Sequence, residues 1–84
     1  MRRRLEGKIA VVTGASSGVG RAIARAFGAE GASVALIARG RDGLEATESE
    51  LHRLGARALV FPLDVSDFDA VQSAANEVVA TWGG

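Results

Sequence analysis

Hydrophobic positions along the chain alternate between short continuous runs and longer stretches at helical spacing. Residues 8 to 13, KIAVVT, form an apolar run rich in β-branching, which suits a strand buried on both faces. Residues 19 to 29 switch period. Val19, Ala22, Ile23, Ala26 and Phe27 recur at helical spacing and predict one apolar face, and Gly28 and Gly31 close that helix. A second buried-strand run follows at residues 33 to 38, SVALIA. A helix then starts at about residue 43, with Asp42 as N-cap, Glu45 completing a capping-box pattern, and Leu44, Thr47, Leu51 and Leu54 inside. Gly55 ends it. Residues 57 to 63, RALVFPL, predict a third strand, with Pro62 near its end, where a missing donor matters least. Ser66 with Asp69 suggests another cap. Val71, Ala74, Ala75, Val78, Val79 and Trp82 mark a long inner face before Gly83 and Gly84. The order βαβαβα with short connections predicts a parallel sheet with right-handed crossover helices. No linker, low-complexity stretch or sequence repeat interrupts it.

Composition narrows the class. Eighty-four residues suffice for one small domain, which buries only about 60–65% of its unfolded surface. Ten basic and ten acidic residues cancel, and they are scattered rather than striped, so no nucleic-acid partner is expected. There is no cysteine and a single histidine, which argues against disulfides and zinc. The start, MRRRLEGKIAVVTGA, is basic and then apolar. Glu6, Gly7 and Lys8 interrupt it, so it does not read as a secretory signal. Arg2 to Arg4 read as a solvated, frayed end. No run approaches the ~20 apolar residues of a membrane span, and a cytoplasmic setting is expected. Tyrosine is absent, and Lys8 is the only lysine.

The candidate chemistry lies between the first strand and the first helix, in VVTGASSGVG. The first N–H groups of a helix have no partner inside it, and with the helix dipole they form an anion site. Gly14 permits a sharp turn out of the strand. Gly18 and Gly20 let a phosphate and the sheet approach the helix. Ser16 and Ser17 add hydroxyls, and Thr13 can brace the loop. The spacing Gly14-x-x-x-Gly18-x-Gly20 is neither the general G-x-G-x-x-G fingerprint nor a P-loop, since Arg21 follows Gly20 and no lysine is near. By itself it is also compatible with a turn chosen for tight packing. In dinucleotide-binding folds the residue about 20 positions further on lies beside the adenosine ribose. Here the second strand ends in Ala38-Arg39-Gly40-Arg41, with no carboxylate, and a guanidinium matches a 2′-phosphate. Simple exposed loop charges remain the alternative. Asp64, at the end of the third strand, can accept an adenine amino group or merely lead a turn. His52 reads as an ordinary half-exposed residue.

The stretch LEGKIAVVTGASSGVGRAIARAFGAEGASVALIAR closely resembles the opening of the short-chain dehydrogenases/reductases. Their T-G-x-x-x-G-x-G motif stands as Thr13 to Gly20, and their adenine-side D-V pair as Asp64-Val65. The resemblance implies the N-terminal half of a Rossmann fold with a three-stranded parallel sheet ordered 3-2-1. It implies hydride transfer between a nicotinamide cofactor and a carbonyl or alcohol. Gly14, Ser16, Ser17, Gly18, Val19 and Gly20 would face the pyrophosphate. Arg39 would favour NADP over NAD, with NAD still possible, and Asp64 and Val65 would border the adenine. The family's N-N-A-G segment, catalytic Ser and Tyr-x-x-x-Lys pair have no counterpart, so residues 1–84 are expected to be a partial dinucleotide-binding domain, inactive alone and without a metal. A stand-alone nucleotide-binding or interaction module is the alternative, and a methyltransferase-type domain a weaker third. Strand one, lacking an outer neighbour, is expected to drive self-association.

Overall fold

The computed structural model describes residues 4–83; Arg2, Arg3 and Gly84, named above for the two ends, lie outside them. Six elements follow in order: β1 (Ile9–Thr13), α1 (Gly18–Ala29), β2 (Ser33–Ala38), α2 (Arg41–Arg53), β3 (Ala58–Pro62) and α3 (Phe68–Trp82). The strands pair in parallel in the order β1-β2-β3, so the sheet has the expected 3-2-1 sequence of strands with β2 at its centre. Ile9 stands level with Ser33, and Thr13 with Ile37; Val34 is level with Ala58, and Ala38 with Pro62. All three strands therefore end at one edge.

Alternation along β2 divides the core into two layers. Val34 and Leu36 point to one face, where they pack with Val12, Ala24, Leu44 and Leu51 under α1 and α2. Ala35 and Ile37 point to the other, against Phe61 and the Ala74 and Val78 side chains of α3. Two right-handed crossovers in the same direction put α1 and α2 on a common face; α3 crosses to the opposite one. Both faces of β2 are covered, which is why its sequence is a continuous apolar run.

The structure corrects several local expectations. On α1 the buried residues are Ala24 and Gly28, while Val19 and Ile23 are exposed. The reason is distance: a Cβ on Gly28 would come within 2.4 Å of Leu51 Cδ2, so the helix meets α2 through its smallest residues; Phe27 of the expected stripe packs against the same core, while Val19 and Ile23 face away. Gly40, not Asp42, is the N-cap of α2, and no side chain caps it; Asp42 sits in the first turn and acts on the helix dipole instead. Leu54 follows that helix as its C-cap and is exposed. Asp67, not Ser66, caps α3, its carboxylate accepting the Ala70 N–H at 3.1 Å. Ala75 and Val79 on that helix are exposed. Arg4 is not frayed, since its N–H donates to Glu30 Oε1 at 3.1 Å and the Leu5 N–H reaches the Glu30 carbonyl at 2.8 Å. No described helix is long and apolar enough to cross a membrane.

Candidate functional site

The loop from β1 into α1 is shaped by its glycines for two different reasons. Gly14 (φ +65°) and Gly18 (φ +59°) adopt the left-handed region that other residues enter at a cost. Gly20 has an ordinary backbone, but a Cβ there would lie 1.9 Å from the Gly14 carbonyl oxygen. Gly20 thus lets the helix close onto the turn. Ala15 is buried between them, and its N–H donates to the Ile37 carbonyl at 3.1 Å, fastening the loop to β2. Ser17 is the N-cap residue in extended conformation, yet its hydroxyl does not cap the helix. Among the described residues, the N–H groups of Ser16, Ser17, Gly18, Val19 and Gly20 have no backbone acceptor. Together with the positive end of the α1 dipole they can hold an anion.

A crevice of about 350 Å³ opens at the carboxyl edge of the sheet, where the three strands end together. It brings Gly14, Ser16, Arg39, Asp64 and Val65 onto one wall-to-wall surface, with Thr13 and Ala38 beneath. Ser17, Gly18, Val19 and Gly20 do not line it; they form the start of α1, with Val19 facing solvent. Arg39 Nη2 lies 3.3 Å from Asp64 Oδ2 across the crevice, with the two side chains 82% and 41% exposed. Asp64 Oδ1 accepts both the N–H and the hydroxyl of Ser66, each at 2.9 Å. The Ser66 N–H, then its hydroxyl, and more weakly the Arg39 charge hold the Asp64 carboxyl below the usual carboxylate range. Arg41 stands apart in the first turn of α2, 3.8 Å from Glu45. His52 is exposed on the far part of that helix.

Thr13 does not brace the loop: among the described residues its hydroxyl makes no hydrogen bond. That role falls to Thr47, on α2, which donates to the Ala15 carbonyl at 2.8 Å. Arg21 and Gly43 also reach the loop. The sequence contained one signal for this, a hydroxyl among the inner-face leucines of the second helix.

A larger cavity, about 580 Å³, lies between the open side of β1 and α3, with Ile9, Val11, Val71 and Val79 among its lining. It is mainly apolar and offers no convergent set of donors, so size does not make it the chemical site. Among the described residues no group of three or more His, Cys, Asp or Glu side chains could hold a metal ion.

Three parallel βα units, a glycine turn after the first strand and a crevice over the carboxyl strand ends define the opening half of a Rossmann sheet. The chain belongs to the short chain dehydrogenase family, whose model matches residues 8–84. It is 38% identical over 80 residues to a fatty acyl-CoA reductase of Acinetobacter baylyi, a match that covers 95% of this chain and 27% of that protein. A metagenomic short-chain oxidoreductase solved in complex with NADP superposes with a TM-score of 0.87 at 46% identity, covering 94% of this chain and 36% of that one. A short chain dehydrogenase from Mycobacterium paratuberculosis bound to NAD superposes at 0.90 with 30% identity, covering 95% and 34%. The chain therefore spans about a quarter to a third of the length of each of these three proteins.

Proposed function

We propose that these residues are the dinucleotide-holding part of a short-chain oxidoreductase that moves hydride between NADP(H) and a carbonyl or alcohol substrate. The observation that carries the reading is the crevice that brings Gly14 and Ser16 of the glycine turn together with Arg39 and Asp64, beside the unpartnered N–H groups that open α1. The fit rests on this chain's own geometry. Unpartnered N–H groups at the start of α1 suit a pyrophosphate, and the space beside Gly14 and Gly18, where no protein atom lies within 4 Å of a would-be Cβ, keeps them approachable. A bound nicotinamide cofactor supplies or accepts the hydride. Gly14, Ser16, Ser17, Gly18, Val19 and Gly20 hold its phosphates, and Asp64 and Val65 border its adenine.

Arg39 sets the preference for NADP over NAD. Its pairing with Asp64 is exposed, and such pairs contribute about 0–1 kcal/mol. A 2′-phosphate, which accepts charge-assisted and bidentate bonds, outcompetes it. The NADP- and NAD-bound relatives are compatible with either cofactor, so the preference rests on Arg39. The general acid of the family lies outside this sequence: tyrosine is absent, and Lys8 precedes β1, at the edge of the sheet opposite the crevice. We therefore assign residues 1–84 to a partial domain and the substrate-reducing groups to a longer polypeptide. The crossing of α3 to the second face supports this, because a right-handed return from there brings a further strand beside β1. A cytoplasmic setting belongs to the same proposal.

Cofactor titration tests it. NADPH should bind about 10-fold or more tightly than NADH, and Arg39→Ala should remove most of the difference, as expected for one charge-assisted contact. Equal affinities in the unsubstituted protein would refute the preference, and binding of neither would refute the reading as a whole. The 84-residue polypeptide alone should show no carbonyl reduction above background.

A further inference from the structure

The glycine loop is held from outside as well as by its own turn. Thr47 is fully buried in the middle of α2. Its single hydroxyl proton faces the Ala15 carbonyl at 2.8 Å and the Gly43 carbonyl at 3.0 Å, and its oxygen accepts Arg21 Nε at 3.0 Å. The same guanidinium donates through Nη2 to the Ser16 carbonyl at 2.8 Å. Glu50 backs it, with Oε1 3.6 Å from Arg21 Nε and Oε2 2.9 Å from Arg25 Nη1. At Gly43 a Cβ would lie 2.6 Å from Ser16 Cβ, so the first turn of α2 touches the loop directly. Two consecutive loop carbonyls are thus captured by side chains that belong to other elements.

In a planar trans peptide the carbonyl and the following N–H point in opposite directions. Fixing the Ala15 and Ser16 carbonyls toward α2 therefore aims the Ser16 and Ser17 N–H groups away from it. Those are among the donors that lack a backbone acceptor. We propose that Thr47 and Arg21 are positioning residues that pre-set the anion-binding donors of the loop, with α2 acting as its template. Arg21 accordingly acts on the loop through its Nε and Nη2, which are engaged by Thr47 and by the Ser16 and Gly43 carbonyls, although it stands next to the last loop glycine. Its role is to remove, before any ligand arrives, the freedom of two peptide planes that a phosphate would otherwise have to order. The proposal rests on the reading of the loop as a pyrophosphate cradle, while the brace itself stands on hydrogen bonds within this chain.

The test uses the full-length gene product and two readouts. The first is the NADPH dissociation constant alongside the thermal midpoint. The second, without any ligand, is hydrogen exchange of the Ala15 amide, which is bonded to the Ile37 carbonyl. Thr47→Val and Arg21→Met should each weaken NADPH binding about 3- to 10-fold, the effect of one hydrogen bond, and should speed Ala15 exchange. Thr47→Ser, which keeps the hydroxyl, should restore both. Val78→Ala, in the other core layer, should lower the thermal midpoint without changing either. Wild-type affinity in Thr47→Val, or a Val78→Ala variant that loses as much affinity per degree of midpoint, overturns the proposal. If Thr47→Val does not fold, the part-exposed Arg21→Met variant decides. If the unsubstituted protein binds neither NADPH nor NADH, the cradle reading fails. Ala15 exchange then decides the brace alone: faster in Arg21→Met than in Val78→Ala supports it, equal rates overturn it.

Discussion

At the scale of single residues, the three loop glycines look equivalent in sequence and are not equivalent in space. Gly18 needs its glycine for a left-handed φ, and a side chain there would meet no neighbouring atom. Gly18→Ala should cost about 1–2 kcal/mol, the price of one strained residue. Gly20→Ala places a carbon 1.9 Å from the Gly14 oxygen, and backbone must move. It should cost about 3 kcal/mol or more, at or above the upper end of overpacking. Urea unfolding of both variants checks the order, and equal losses would contradict it. Asp64 yields a pH prediction. Its folded-state pKa is lowered, so its contribution is complete above the unfolded carboxylate's value and fades as pH falls through the folded one. The stability difference between the unsubstituted protein and Asp64→Asn should stay flat from about pH 5 to pH 8 and close only below about pH 4. A difference that changes near neutrality would assign the effect elsewhere. The glycine spacing pointed to Gly18 and Gly20, and the end of the third strand pointed to Asp64. Neither could point to Thr47 as a brace, because the Ala15 carbonyl it holds lies 32 residues away in the chain.

At the scale of elements, strand positions were legible almost to the residue and helix faces were not. Residues 33 to 38 coincide with β2 because an unbroken apolar run has only one placement when both faces are covered. A helical stripe is ambiguous in a different way. Val19 and Ile23 mark an apolar face on α1, but Ala24 and Gly28 are what the neighbouring helix can approach. Caps showed the same limit: Ser66, Asp67 and Asp69 all suit a helix start, and only the backbone selects Asp67. Asp67→Ala should cost about 1 kcal/mol, lowering the thermal midpoint by about 4–8 °C in a domain of this size. A larger loss from Ser66→Ala would reverse the assignment.

At the scale of the molecule, the sheet is closed on one side only by its neighbours in sequence. β1 pairs with β2 alone among the described residues, and Val11, beside the large cavity, is 58% exposed on that strand. With the exposed Val19 and Ile23 of α1 this leaves apolar surface on both sides of an unpaired edge. The 84-residue polypeptide, prepared by itself, should therefore self-associate through β1, and Val11→Lys should shift it toward monomer in sedimentation at tens of micromolar. A well-folded monomer without the substitution would rule this out.

The division of the core into two layers also orders how the molecule opens. The glycine turn is tied to the layer that holds Val34, Leu36, Leu44 and Leu51, all essentially inaccessible. Asp64 and Val65 lead instead into α3, which is fastened chiefly by Ala74 and Val78. Local opening starts where buried apolar contact is least. The two layers should therefore exchange their amide hydrogens at different rates, with α3 opening before the glycine turn.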